Sequence, residues 1–187
     1  MKLNKLFVFD LESSCFEPKD SKPANEELEI IEIGFAIIDT KTFEIITNDT
    51  ILIKPVRSSI SPFCTELTTL TAEQLERDGI TFSQACEKLK TEYRTKHLTS
   101  ISFGDYDKTM MESSCEFFNC EYPLGRRHIN IKNVFSVFEG LTKEPGQSKV
   151  LERLEIEETG TKHRGVDDAL NLAKITIQML KQYRNIK

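Results

Sequence analysis

No run of about eighteen consecutive apolar residues occurs in the chain, so nothing in it is long and apolar enough to be a membrane-spanning helix. The first residues, Met1 to Lys5, lead into Leu6-Phe7-Val8-Phe9 and then an acid, with no small-residue cleavage site, so no export signal is expected. None of the five cysteines (Cys15, Cys64, Cys86, Cys115, Cys120) stands in a Cys-x-x-Cys pair, which removes the usual zinc and dithiol patterns. Free thiols in a reducing cytoplasm are the simpler expectation. A basic surplus is missing too: 25 Lys and Arg face 30 Asp and Glu, for a net charge of −5. That balance argues against a grip on a long phosphate backbone, because such affinity comes from many cationic contacts. Internal repeats and low-complexity segments are absent.

What is present fits one domain over residues 1–187. Leu6–Phe9 reads as a short buried strand ending at Asp10, and the turn-rich stretch 17–25 reads as a loop. Glu29–Ile38 and Phe43–Ile53, divided by Asp39-Thr40-Lys41-Thr42, form a strand hairpin that Pro55 stops. Thr71-Ala72-Glu73-Gln74 and Thr81-Phe82-Ser83-Gln84 have capping-box spacing and open two helices, the first ended by Gly79. Residues 99–104 return to strand, Lys108–Phe118 to helix, and His128–Ile131 to a short strand. After the Glu144-Pro145-Gly146 break come a helix near 148–154 and a long one from Val166 to Tyr183, where Ala169, Leu172, Ala173, Thr176, Met179 and Leu180 recur at helical spacing. The pattern predicts an α/β fold with a mixed sheet of five strands flanked by helices.

Three places carry chemistry. Asp10-Leu11-Glu12 puts two carboxylates on one face of a strand, where like charges need a proton or a cation, and oxygen donors suit Mg²⁺ or Mn²⁺. A solvated strand end is the plain alternative. Phe103-Gly104-Asp105-Tyr106-Asp107 ends a strand and starts a helix, so Asp107 is either an N-cap or a ligand, with Asp105 its rival. His163-Arg164-Gly165-Val166-Asp167-Asp168 sets a histidine five residues before an acid in the first turn of the last helix, a place the helix dipole favours for acids in any case. Glu32, inside an apolar strand, is expected to make a structural hydrogen bond. Arg126-Arg127-His128 reads as a solvated loop or a phosphate contact. The stretch 124–150, with Arg126, Arg127, Lys132, Lys143 and Lys149 against Glu139 and Glu144, is the half expected to face nucleic acid.

Together these three motifs resemble the DnaQ-like exonucleases of the DEDDh pattern. With Ser13-Ser14-Cys15, Ile30-Ile31-Glu32-Ile33-Gly34, Pro62-Phe63-Cys64, Leu67–Thr71 and Ile129-Asn130-Ile131 added, the chain is similar to the subfamily of 3′ histone-mRNA exonucleases, enhanced-RNAi nucleases and bacterial KapD-type proteins over about residues 5–182. Departures are Leu11-Glu12-Ser13-Ser14-Cys15, where the family usually has Phe-Glu-Ala-Thr-Cys, and Tyr106 in place of its usual Trp. The resemblance implies an RNase H-like fold and a 3′ to 5′ exonuclease that cleaves single-stranded nucleic acid, RNA favoured over DNA, to nucleoside 5′-monophosphates. It further implies that Asp10, Glu12, Asp107 and Asp168 hold two Mg²⁺ or Mn²⁺ ions and that His163 is the proton acceptor. Phe63, Leu70, Tyr106 and Ser13 become the residues expected to meet the substrate, by stacking or from nearby. The chain is expected to be a monomer or homodimer with no membrane partner. A DNA exonuclease of this fold, and a non-catalytic RNA- or protein-binding module, are the competing readings.

Overall fold

The computed structural model describes residues 4–17 and 27–184; the loop expected at 17–25 falls almost wholly outside them. Its centre is β1 (Lys5–Ser13), which pairs antiparallel with β2 (Ile30–Asp39) and parallel with β4 (Thr99–Ser102). Beyond these lie β3 (Ile45–Leu52), antiparallel to β2, and β5 (His128–Asn130), parallel to β4, giving the order β3-β2-β1-β4-β5.

Burial on both faces explains why β1 and β2 read as almost unbroken apolar runs. Odd-numbered β1 residues Phe7, Phe9 and Leu11 join Ile33, Phe35 and Ile51 under α3 (Phe82–Thr91) and α4 (Tyr106–Phe117). Even-numbered Leu6 and Val8 join Ala36, Ile38 and Ile101 under α5 (Ile131–Phe138), α6 (Gln147–Arg153) and α7 (Gly165–Tyr183). Since side chains alternate, Asp10 and Glu12 fall on the α7 face.

Several boundaries differ from expectation. The first strand does not stop at Asp10: it runs through both acids, with Asp10 opposite Gly34 and Glu12 opposite Glu32. Two helices went unexpected. α1 (Pro62–Thr68) starts at a Ser-Pro step, with the Ser61 hydroxyl accepting the Cys64 N–H at 3.0 Å and Pro62 in the first turn. α5 takes Ile131 from the expected strand, and the Asn130 side chain caps it by accepting the Asn133 N–H at 3.3 Å. α2 (Ala72–Asp78) is capped by Thr71 as expected, but both halves of a capping box exist only at Thr81 and Gln84. α4 begins at Tyr106, so Asp105 is its N-cap residue and Asp107 lies inside the first turn.

A close backbone approach joins α7 to β2. A side-chain carbon on Gly34 would lie 1.8 Å from the carbonyl carbon of Gly165, so only glycine lets α7 start where it does. Among the described residues no helix is long and apolar enough to cross a membrane.

Candidate active site

Asp10 and Glu12 come from the middle and end of β1, Asp107 from α4 and Asp168 from the first turn of α7. Glu12, Asp107 and Asp168 are buried to 8%, 7% and 7% exposure, and Asp10 is half-buried. The Leu11 N–H, between the two β1 acids, donates to Asp107 Oδ1 at 3.1 Å and ties the start of α4 to the strand. Asp168 Oδ2 accepts the His163 N–H at 2.8 Å, which bends the approach to α7 back over its own first turn. His163 sits there in the left-handed region, φ 60°, with its side chain exposed. One ligand atom each from Glu12, His163 and Asp168 lies within 4.8 Å of the others.

These groups open on a cleft of about 590 Å³ that Tyr106, Phe103, Gln147, Lys149 and Lys162 also line. Desolvation dominates its electrostatics. Burial raises the Asp10 carboxyl well above the usual range, and the charges of Asp107, Glu12, Asp168 and Glu32 push the same way. Burial, then Asp168, Glu32 and Asp107, raise Glu12 to about 8, with Arg164 pulling slightly down. Asp107 is pushed up to about 6 by burial, against the Leu11 N–H, and burial also raises Asp168 against the His163 N–H. Four such carboxylates cannot all ionise at neutral pH unless positive charge joins them. An all-oxygen donor set with one adjacent imidazole fits hard divalent cations of the Mg²⁺ and Mn²⁺ kind.

The remaining expected residues divide. Tyr106 lines the cleft, is 55% exposed, and its hydroxyl lies 3.3 Å from the Ser13 hydroxyl, so Ser13 reaches the cleft through Tyr106. Leu70 corrects the expectation: it is 0% exposed, packed with Ile31, Cys64 and Leu75 in the core, and does not line the cleft. Phe63, half-buried on α1, stands outside the cleft lining as well. Asp105 is exposed, accepts Asn130 Nδ2 at 2.9 Å, and is absent from the lining that Asp107 joins.

The basic stretch 124–150 does not act as a unit. Arg126 and Arg127 line a separate pocket with Lys96 and His97 at the end of the sheet away from the acids, because they precede β5, which runs parallel to β1 through β4. Lys132 pairs with Glu144 at 3.1 Å, and of the five cations named only Lys149 lines the cleft. His128 is held between the hydroxyls of Ser100 (3.0 Å) and Ser102 (3.2 Å).

The hydrogen bonding expected of Glu32 is present behind the site, and its main partner, Arg164, is what the sequence did not name. Glu32 is fully buried and accepts Arg164 Nε and Nη2, both at 3.2 Å, the Gly165 N–H at 3.0 Å and the Thr50 hydroxyl at 2.8 Å. Gln147 Nε2 donates to the Asp168 carbonyl at 2.9 Å, joining α6 to α7. An acid in an apolar strand was the available signal, since a buried charge needs a partner.

A mixed five-stranded sheet of order β3-β2-β1-β4-β5 with four carboxylates gathered beside β1 defines an RNase H-like nuclease fold. Residues 7–176 match the RNase_T family model, described as Exonuclease, and the chain belongs to that family. It is 28% identical over 187 residues to 3′-5′ exoribonuclease 1 of Homo sapiens, covering 93% of this chain and 52% of that one. It is 26% identical over 186 residues to the probable 3′-5′ exonuclease KapD of Bacillus subtilis (strain 168), covering 98% of this chain and 89% of the other. The nuclease domain of 3′hExo, described as a DEDDh family member bound to rAMP, superposes with a TM-score of 0.84 at 26% identity, covering 96% of this chain and 93% of that structure. The chain thus spans about half the length of the curated exoribonuclease 1 relatives it matches.

Proposed function

We propose that this chain is a divalent-metal-dependent 3′ to 5′ exonuclease that shortens single-stranded RNA to nucleoside 5′-monophosphates. The observation that carries the reading is the convergence of Asp10, Glu12, Asp107 and Asp168 on one cleft with His163 at its rim. The similarity to exoribonucleases and to a nuclease bound to rAMP favours RNA over DNA. We treat residues 1–187 as one exonuclease domain, a reading supported by the single sheet. The free thiols of all five cysteines fit a cytoplasmic location.

Asp10, Glu12, Asp107 and Asp168 would hold two Mg²⁺ or Mn²⁺ ions, which when bound supply positive charge at the attacking and departing oxygens of an in-line displacement. His163, exposed and positioned by the Asp168 carboxylate through its own N–H, accepts a proton from the attacking water. The water oxygen bonds to phosphorus as the bond to the 3′-oxygen breaks, leaving a strand shorter by one residue. Tyr106 offers an exposed ring for the terminal base, a contact that tolerates any sequence. Lys149 and Lys162 line the cleft and offer positive charge to backbone phosphates.

The test is incubation of 5′-labelled single-stranded RNA and a matched DNA with the protein, with Mg²⁺, with Mn²⁺, or with a chelator. A ladder shortened from the 3′ side only when metal is present, and faster on RNA, is expected. Cleavage that ignores the chelator, or an intact strand in every lane, overturns the reading, and faster digestion of DNA moves the substrate to DNA.

A further inference from the structure

Away from the cleft, three of the five cysteines meet from three separate segments. Cys86 comes from α3, Cys115 from the last turn of α4 and Cys120 from the turn that follows, and their sulfurs all lie within 4.8 Å of one another. The turn is built to bring the last one in. Asn119 adopts the left-handed region at φ 48°, and the Cys120 N–H returns to the Cys115 carbonyl at 3.0 Å, closing the helix end in the manner of a Schellman motif. This folds Cys120 across to α3, where its Sγ lies 3.8 Å from Cys86 Sγ.

We propose that Cys86, Cys115 and Cys120 form a binding site for one soft d¹⁰ metal ion, of which Zn²⁺ is the common case, with the fourth position open to solvent. The spacing agrees. A tetrahedral zinc with Zn–S bonds of about 2.3 Å sets neighbouring sulfurs roughly 3.8 Å apart. A disulfide needs about 2.05 Å and so a displacement of the pair. Cys86 and Cys115 are buried, whereas Cys120 is half-buried and gives an ion its way in. Ser83, one turn before Cys86, is exposed and marks the open side.

Hard cations of the cleft disfavour sulfur donors, so the two sites select different ions. Metal here would fasten α3 to the far end of α4, the helix whose first turn carries Tyr106 and Asp107.

The experiment loads the reduced 187-residue chain with Co²⁺ and then Zn²⁺, in an Asp10→Asn, Asp168→Asn background that weakens the carboxylate cleft. One equivalent of Co²⁺ should produce sulfur-to-metal charge-transfer absorption in the near ultraviolet, which carboxylate ligands do not give and which Zn²⁺ should abolish. Cys120→Ser should lose the band, and Cys15→Ser with Cys64→Ser should keep it. On the unmutated chain, where no variant can fail to fold, Zn²⁺ should slow alkylation of Cys120 by about tenfold or more, because a bound thiolate is masked. Absence of the band, its survival in Cys120→Ser, or alkylation of Cys120 at an unchanged rate in Zn²⁺ overturns the proposal. So does a Cys86–Cys120 disulfide that forms as readily with Zn²⁺ as without it. None of these readouts depends on nuclease activity.

Discussion

Glu32 and Arg164, 132 positions apart in the chain, meet as a two-pronged ion pair with both bonds at 3.2 Å. The acid is sealed under the sheet and the guanidinium lies between His163 and the first residue of α7, so the pair anchors the backbone that presents both His163 and Asp168. A third prong of the guanidinium reaches the Thr69 hydroxyl at 3.3 Å and includes the turn after α1. Glu32 thereby acts on the cleft without lining it.

Removing one side of that pair should cost stability and rate together. Glu32→Ala leaves a largely buried guanidinium unpaired and should destabilise the fold by about 3–5 kcal/mol in denaturant titration. Arg164→Lys keeps the charge but gives up the fork, and should lose about 1–3 kcal/mol while lowering turnover more than substrate affinity. Unchanged unfolding midpoints in both variants would strip the clasp of its role.

Asp10→Asn and Asp168→Asn should each reduce hydrolysis by about a thousandfold or more if all four acids share the ions. The fold should survive, because each change removes a charge that burial opposes. Asp105→Asn should be close to unmutated in the same assay, while Asp107→Asn is silent; the reverse outcome would move the third acid to position 105.

His163→Ala should lower turnover by roughly 10²–10⁴-fold, the usual worth of a positioned proton acceptor. Calorimetric titration with Mn²⁺ should give affinity close to that of the parent, since the carboxylates remain. A variant that turns over at the parental rate would remove the imidazole from the reaction.

The chelated protein should lose stability as pH rises. Glu12 holds its proton more tightly in the fold than in the open chain, its value going from 4.5 to about 8, so its contribution is whole below about 4.5 and disappears through about 8. Asp107, raised to about 6, acts in the same direction across the lower part of that window. Melting temperatures of chelated protein between pH 5 and 9 should therefore slope downward. Saturating Mn²⁺ should flatten the slope, as should Glu12→Gln. A chelated protein that gains stability up to pH 8 would contradict the electrostatic account.

Tyr106→Ala should raise KM for short oligonucleotides by about tenfold, in line with the ~1–3 kcal/mol of a lost base stack, whereas Tyr106→Trp should hold or lower it. Equal KM in all three proteins would leave the exposed ring without a function.

Much of this was legible beforehand because the signals were local. Residues two apart on a strand share a face, so Asp10 and Glu12 could be paired without knowing what covered them. Thr71 and Thr81 announced their helices through the spacing of their caps, and α7 through its apolar period. The misses needed tertiary information. A seven-residue helix such as α1 offers too few turns for a period to show, and only the Ser61-Pro62 step betrays it. In α5 the apolar positions Ile131, Val134, Phe135 and Phe138 do fit a helix, but Ile131 followed a strand-like run and was drawn into it. Leu70 was expected near the substrate from the motif that carries the resemblance, yet it packs into the core with Ile31, Cys64 and Leu75. For Arg126 and Arg127 a solvated loop was the preferred reading over a phosphate contact, and the parallel direction of β5 puts them at the end of the sheet opposite the acids.

The contact of Gly34 with Gly165 makes this chain vulnerable at a position that has no side chain at all. Placing even a methyl group at residue 34 displaces the start of α7. A natural variant carrying alanine there would keep all four acids and the histidine and should still lose the placement of His163 and Asp168. Screening for loss of function in such chains by checking catalytic letters alone would miss it.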